Sequence, residues 1–492
     1  MKNLTPDIVF IHPNAADSIY QGLSKFYAAV EPPIWAGMLT QRCLNLGFNA
    51  EIMDCEALNM ADDEALYHIN NMRPRVVAFV IYGQHPSASA QNMEGAVRLA
   101  EKLKKQYPEF KILFVGGLPS ALPIETLEKH RHIDYVCDNE GFYTIPNLLK
   151  LNPIPNILDV PGLYFRKEDN IVLTSKEKLL PKEELNTISV PWQMLPMKHY
   201  RTSLWHSYSN NCERQPFASL YTSLGCPYSC SFCCINAPFG GKSSFRWWDP
   251  EDAIRHFAWF DANHIVNIKI ADELFVLNPR HFLRLCELII ERKYHFNIWA
   301  YARIDTVKDE YLATLKKAGV NWLALGIESA NKRVRKDVTK GRFEDVDIVG
   351  VVKKIREHGI NVIGNYIFGL PEDNMSSMKE TLDLAKELNT EAVNFYVAMA
   401  YPGSQLYTDA KEKGIKLPET YSGWSQYAYD TQPLPTKYLS AEQVLKFRDD
   451  AWFQYHTNTD FLRLIQYKFG SEAVKRILDS TKIKLKRKIL GD

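Results

Sequence analysis

Short apolar, β-rich runs alternate with helix-like segments along the first 150 residues of the chain. Asp7 to His12, Ala50 to Met53, Val76 to Tyr82 and Lys111 to Val115 read as strands, and Tyr135-Val136-Cys137 as a short last one running into Asn139-Glu140-Gly141. Pro33 to Gly47 and Ala90 to Tyr107 read as helices, the first closed by Gly47. This alternation predicts an α/β, Rossmann-like, doubly wound unit on a parallel open sheet. Ligands of such sheets lie beyond the carboxyl ends of the strands, near the switch in strand order.

The pattern changes over residues 151–217, where Pro153, Pro155, Pro161, Pro181, Pro191 and Pro196 punctuate a stretch with little periodicity. It reads as a connector with a small hairpin around Leu163–Arg166 and Ile171–Thr174. Across residues 218–410 the alternation resumes with six candidate strands: Leu220–Leu224, Val266–Ile270, Phe296–Ala302, Trp322–Ile327, Val362–Phe368 and Ala392–Ala398. The intervening helices are amphipathic. Phe282, Leu285, Cys286 and Ile289 share a face, as do Ile348, Val352 and Ile355, with Gly359 as the stop. Six βα units predict a partial TIM barrel with its working face at the strand C-termini. Residues 411–492 carry Pro418, Pro433 and Pro435, then helix-like Ala441–Tyr455, Asp460–Phe469 and Glu472–Asp479, read as a small helical cap.

Composition narrows the choice of partners. Of the 492 residues 46% are hydrophobic and 24% charged, which excludes wholesale disorder and fibrous structure. Fifty-nine Lys and Arg against 58 Asp and Glu leave a formal charge of +1, so nothing favours nucleic acid or an anionic membrane. The longest apolar runs are strand-sized, so no transmembrane segment is expected, and no apolar signal region precedes the first strand. The reading is a cytoplasmic, reducing location, in which nine cysteines do not form a disulfide framework.

Four of those cysteines sit together. Leu224-Gly225-Cys226-Pro227-Tyr228-Ser229-Cys230-Ser231-Phe232-Cys233-Cys234 follows the first barrel strand. Three thiolates spaced CxxxCxxC on one loop can wrap three corners of a cubane iron–sulfur cluster and leave a fourth iron open. The alternatives are structural zinc, which needs a fourth ligand and prefers paired half-sites of which no second is present, and inert thiols. Cys234 competes with Cys233 as the third ligand; Cys233 is favoured.

CxxxCxFC after the first strand of a six-unit partial barrel resembles the radical S-adenosylmethionine (SAM) superfamily. Further segments at successive strand ends carry the same resemblance over about residues 218–410. They are Ala271-Asp272-Glu273, Tyr301-Ala302-Arg303-Ile304-Asp305, Gly326-Ile327-Glu328-Ser329, Phe368-Gly369-Leu370-Pro371 and Tyr401-Pro402-Gly403-Ser404. The resemblance implies a [4Fe–4S] cluster on Cys226, Cys230 and Cys233, with SAM chelating the open iron and cleaved reductively to a 5′-deoxyadenosyl radical. Glu328 suits the SAM ammonium or ribose, Arg303 its carboxylate, and Phe232 its adenine. Gly364 and Gly369 permit close backbone approach, and Asp272, Ser329 and Tyr401 complete the expected SAM site. The bland reading of Arg303 and Glu328 is a buried ion pair between strand ends; that of Asp272 and Tyr401 is helix capping or wall packing.

The N-terminal unit is similar to the cobalamin-binding domains found ahead of such barrels. The matching segments are Glu31 to Gly37, Tyr82-Gly83-Gln84-His85-Pro86-Ser87-Ala88-Ser89, Gly116-Gly117-Leu118-Pro119-Ser120 and Asn139-Glu140-Gly141. The resemblance implies a cobalamin site on Gly83, Gln84, Pro86, Ser87, Gly116, Gly117, Glu140 and Gly141, with the glycine pair admitting the nucleotide tail. The D-x-H-x-x-G motif that supplies an axial histidine is missing; after the first strand stands His12-Pro13-Asn14-Ala15-Ala16-Asp17. Cobalamin is therefore expected without a histidine ligand. The alternative is a domain that binds no corrin and only docks the barrel.

Together these readings imply a cobalamin-dependent radical SAM enzyme, most simply a methyltransferase acting on an unactivated carbon of a small-molecule, lipid or glycan substrate. A reductase, flavodoxin or ferredoxin would supply electrons. The rivals are an oxidative cyclase or rearrangement enzyme on the same scaffold, and an iron–sulfur or cobalamin sensor or electron-transfer module. Trp424, Tyr427 and Tyr429 are candidate entrance residues or interface packing, and the basic run Lys482 to Lys488 reads as a solvated tail.

Overall fold

The computed structural model of the chain describes residues 5–83, 85–151, 157–168, 170–339 and 345–492. The first sheet is built on β1 (Ile8–His12), β2 (Ala50–Asp54), β3 (Val76–Ile81), β4 (Lys111–Gly116) and β5 (Tyr135–Cys137), all parallel. β1 and β3 are buried along their whole length, as strands covered on both faces must be. The sheet continues past residue 150. β6 (Leu163–Lys167) and β7 (Asn170–Leu173) form the expected hairpin, but it joins β5 antiparallel and extends the sheet to the order β2-β1-β3-β4-β5-β6-β7. The switch in strand order lies between β1 and β3, and it opens toward the second sheet.

The second sheet is a six-stranded parallel array of β8 (Phe217–Leu220), β11 (Asn267–Ile270), β12 (Asn297–Arg303), β13 (Val320–Glu328), β14 (Asn361–Phe368) and β15 (Ala392–Val397), in the order β15-β14-β13-β12-β11-β8. Between β8 and β11, two short strands, β9 (Ser223–Leu224) and β10 (Arg246–Trp247), pair antiparallel. The first barrel strand is therefore shorter and earlier than Leu220–Leu224. The chain leaves the ladder after Leu220 because buried Asp272 draws Thr222 and Ser223 to itself. Outside the sheet, Pro279–Glu291 buries Phe282, Leu285, Cys286 and Ile289, and Ile348–Glu357 buries Ile348, Val352 and Ile355.

The C-terminal residues pack on the open side of the array. Ala441–His456 starts with a capping box between Ser440 and Gln443, and Thr459–Thr481 is divided by Gly470, whose φ of 82° breaks the helix. The basic run that follows does not stay solvated throughout. Arg487 is buried, paired with Asp449 at 2.9 Å and donating to the Ala428 carbonyl at 3.1 Å. Among the described residues, no helix is long and apolar enough to cross a membrane.

Candidate functional site

The cysteine loop is held at its root and at its middle. Asp272, at the end of β11, accepts the Thr222 N–H and hydroxyl, both at 2.6 Å, and the Ser223 hydroxyl at 2.7 Å. The next residue, Glu273, accepts the Gly225 N–H at 3.2 Å. Ser231 in mid-loop donates its N–H to the Val338 carbonyl at 3.0 Å and accepts the Leu406 N–H at 2.9 Å. Cys226, Cys230 and Cys233 are partly exposed on this loop, whereas Cys234 is buried and lines a small cavity of about 20 Å³ on the side of the N-terminal domain.

Burial raises all four thiols of the loop, Cys234 to about 12. Burial pushes Cys226 up to about 12 and Cys230 up to about 11. Burial raises Cys233 as well, and the neighbouring Cys234, Cys230 and Cys226 thiols raise it further. Thiols that oppose one another's ionisation in this way are thiolates only beside a strong cationic partner. Among the described residues, no three His, Cys, Asp or Glu side chains converge on a point where one metal ion would sit. A cluster asks for something else: each cysteine serves a different iron corner, so its ligands surround it rather than converge. The donor set fits an iron–sulfur cluster better than it fits a single zinc ion.

Next to the loop, Glu328 ends β13 at a bulge where the register with β14 shifts. Its φ is 65°, a left-handed conformation that is costly for glutamate and typical of functional sites. Burial pushes its carboxyl up to about 7, against the opposing pull of Arg303. Arg303, at the end of β12, forks onto Asp305, with Nε 2.7 Å from Oδ1 and Nη2 paired to Oδ2, and lies 3.8 Å over the Tyr228 ring inside the cysteine loop. The ion pair at these strand ends is thus Arg303 with Asp305, and the Glu328 carboxylate is not forked by it. Phe232 packs against Val334 and Val338 of the helix Lys332–Thr339 and against Ile367, Leu370 and Ala398 at the ends of β14 and β15. An acid, a guanidinium and an aromatic wall around three cysteines fit an aminoacyl nucleoside such as SAM.

Other predicted residues have partners within the protein. Both Asp272 oxygens are taken by the loop it anchors, and burial pushes its carboxyl up to about 6 while those hydrogen bonds pull it down. Ser329 shares a hydrogen bond with Thr381 at 3.1 Å and accepts the Asn331 N–H at 3.2 Å. A Cβ at Gly369 would lie 2.3 Å from Val444, and one at Gly364 2.7 Å from Tyr366, so these glycines admit neighbouring side chains. Trp424 is buried and donates to the Ala400 carbonyl at 3.0 Å, so it is a packing residue, whereas Tyr429 is exposed and donates to the Asp492 carbonyl at 2.9 Å.

The N-terminal candidates divide in the same way. A Cβ at Gly116 would lie 2.1 Å from the Ile81 carbonyl oxygen, so that glycine serves the approach of β3 to β4. Gly83 makes room for Ala88 at 2.3 Å, and Gly117 borders the 20 Å³ cavity with Cys234. Glu140 is buried and held by Arg246 at 2.7 and 3.1 Å and by the Leu180 N–H at 2.6 Å; it ties the first domain to β10. Gly141, with φ of 83°, follows it into the next helix. Gln84 lies outside the described residues, and Pro86 opens the turn Pro86–Ala88. Ser87 faces a large cavity.

That cavity, of about 750 Å³, is enclosed by the first domain, the barrel strands and the C-terminal helices. Glu31, His85 and Ser87 contribute from the first domain, and Lys269, Tyr301 and Tyr401 from the barrel. Its volume is within the range of small-molecule and cofactor sites, and its position at the strand-order switch suits a large planar ligand held by the first sheet. Sequence reading did not find the Lys269–Glu31 ion pair inside it, at 2.9 Å with both side chains nearly inaccessible. A lysine in the middle of an apolar strand, Asn267-Ile268-Lys269-Ile270, was the available signal, since such a charge needs a buried partner.

Known proteins resemble this chain in both domains. Residues 220–385 match the radical SAM superfamily model and residues 27–149 the B12 binding domain model. An uncharacterized methyltransferase of Pyrococcus horikoshii is 24% identical over 374 residues, covering 75% of this chain and 77% of that protein. The anaerobic magnesium-protoporphyrin IX monomethyl ester cyclase of Rubrivivax gelatinosus is 23% identical over 485 residues, covering 95% of this chain and 80% of its own. The solved structure of the radical S-adenosylmethionine methyltransferase TsrM from Kitasatospora setae, with cobalamin and a [4Fe–4S] cluster bound, shares the fold. Its TM-score is 0.68 at 14% identity, over 98% of this chain and 100% of that one. With both domain models matched in chain order, this chain carries a B12 binding domain over residues 27–149 ahead of a radical SAM domain over residues 220–385.

Proposed function

We propose that the protein is a cobalamin-dependent radical SAM methyltransferase that methylates an unactivated carbon of a small substrate held in the 750 Å³ cavity. The observation that carries this reading is a cavity walled on one side by Glu31, His85 and Ser87 of the B12 binding domain and on the other by Lys269, Tyr301 and Tyr401 of the barrel whose strand ends also carry the cysteine loop, Arg303 and Glu328. Bound there, the cluster and the corrin supply one-electron cleavage of SAM and a transferable methyl group.

The chain's own residues do the positioning. Cys226, Cys230 and Cys233 hold the cluster, and Asp272 and Glu273 fix the root of their loop. Glu328 accepts from the ammonium or ribose of SAM, and Arg303, steadied by Asp305 and Tyr228, donates to its carboxylate. The tyrosines and the closed Lys269–Glu31 pair line the space in which a substrate hydrogen is exposed to the radical and no solvent need enter. Holding substrate and methyl source around one cavity replaces an encounter by a positioned transfer, an effect worth up to about 7–11 kcal/mol in well-oriented systems. Electrons would come from a reductase, flavodoxin or ferredoxin in a reducing cytoplasm, which suits nine free cysteines.

The test is the fate of SAM. Candidate substrates come from comparing small molecules, lipids and glycans of cells with and without the protein. With the right one, 5′-deoxyadenosine and S-adenosylhomocysteine should rise together, and label from methyl-deuterated SAM should appear in the product. The similarity to a cyclase over 95% of the chain favours one second reading, oxidative cyclisation. Deoxyadenosine formed without S-adenosylhomocysteine or label would select it.

A further inference from the structure

His85 stands on the loop that leaves β3 at the strand-order switch, where an open sheet presents its ligand. It lines both the 750 Å³ cavity and the 20 Å³ cavity beside it. Its Nδ1 shares a hydrogen bond of 2.6 Å with Ser87 Oγ. Ser87 shares the cavity wall with Tyr401 of the barrel, whose phenol receives the Gln426 amide at 3.2 Å. Gln426 is fixed to the backbone of Val397 in β15 by two hydrogen bonds, of 2.9 and 3.1 Å. The Ser87 hydrogen bond fixes the ring's orientation on the loop. With Nδ1–H donated to Ser87, the lone pair is on Nε2, for which no partner stands among the described residues. Burial and the nearby Lys269 ammonium also keep the ring neutral. Metal-binding histidines are commonly held in this way, one nitrogen fixed by a hydrogen-bonded neighbour and the other presented to the metal.

We propose that His85 is an axial ligand to the cobalt of the bound corrin, donating its Nε2 lone pair from the loop after β3 in place of the missing motif after β1. This rests on the cobalamin reading above and departs from the expectation of a corrin without histidine. Ser87, in the cavity wall, is the positioning residue in this arrangement.

The experiment is electron paramagnetic resonance of the Co(II) form of the full-length protein loaded with hydroxocobalamin, prepared with ordinary and with nitrogen-15 histidine. The expected result is a triplet nitrogen splitting on the high-field cobalt lines that becomes a doublet on histidine labelling. In His85→Ala the splitting should be gone while cobalamin is still retained through gel filtration. A triplet unchanged by labelling would mean that cobalamin's own benzimidazole is the ligand, and no splitting would mean that nitrogen does not ligate; either overturns the proposal. Because labelling marks every histidine, His85→Gln is read beside His85→Ala, and His12→Ala should keep the doublet; a doublet that survives in a folded His85 variant, or is lost in His12→Ala, also overturns the proposal. Failure to retain any cobalamin would overturn the cobalamin reading itself, whereas retention without histidine coupling overturns this inference alone.

Discussion

The Glu328 carboxylate occupies the space that a side chain at Gly326 would need: a Cβ there would stand 2.7 Å from Glu328 Oε1. The two residues flank the bulge that ends β13, and the left-handed turn at Glu328 folds its carboxylate back over the strand. Gly326→Ala should therefore displace the carboxylate, which can move, rather than the backbone. We expect a cluster content equal to wild type, stability changed by about 1 kcal/mol or less, and SAM affinity lowered about tenfold, roughly 1.4 kcal/mol, as measured by equilibrium dialysis of reconstituted protein.

The same carboxyl gives a pH test. Burial raises it to about 7 from an ordinary 4.5, so the folded apo protein binds a proton there that the unfolded chain has released. The stabilisation from that proton is full below the unfolded value and is lost as pH rises through about 7. Glu328→Gln should remove this dependence. Relative to wild type, the variant should gain up to about 3 kcal/mol between pH 4.5 and 8 in denaturant titrations of cofactor-free protein. A difference that stays constant with pH would show that the carboxyl is not buried in solution.

Single cysteine variants test the ligand set. Anaerobically reconstituted Cys226→Ala, Cys230→Ala and Cys233→Ala should each lose most bound iron and the thiolate-to-iron absorbance, whereas Cys234→Ala should keep both. Retention by Cys233→Ala together with loss by Cys234→Ala would reverse the assignment.

Arg303→Lys keeps a charge but loses the fork that meets Asp305 and the plane that covers Tyr228. Lysine does not replace arginine at stacked, forked sites. SAM binding should weaken by about 10–100-fold, or roughly 1.4–2.7 kcal/mol, with cluster content unchanged.

Arg246→Ala tests the tie between the domains. It would leave the Glu140 carboxylate buried without its cation, and breaking a buried pair in this way costs about 3–5 kcal/mol. Thermal unfolding should shift down accordingly, and adding Glu140→Gln should restore part of the loss.

Much of the architecture was legible because it is written in local patterns. Runs such as Val76-Val77-Ala78-Phe79-Val80-Ile81 have no stable place except a strand covered on both faces, and the 3.6-residue spacing of Phe282, Leu285, Cys286 and Ile289 leaves the helix one face to bury. The one misplaced strand, Leu220–Leu224, has the right apolar pattern. It breaks because Thr222 and Ser223 satisfy an aspartate 50 and 49 residues further on, which no local pattern reveals.

By itself, then, the sequence determined the two α/β units, their order, and a loop with three cysteines at the spacing a cluster needs, since these follow from neighbours along the chain. Only the tertiary structure decided which capable side chains remain available for a ligand. Glu140, Asp272 and Glu328 are equally good acceptors on paper. Glu140 is taken by Arg246 at a separation of 106 residues and Asp272 by the cysteine loop, whereas Glu328 turns over Gly326 toward the cysteines. Lys269 and Glu31, 238 residues apart, become a buried pair only when the two domains close on each other. A residue's type fixes what it can bond; the long-range packing of the chain fixes which partner reaches it first.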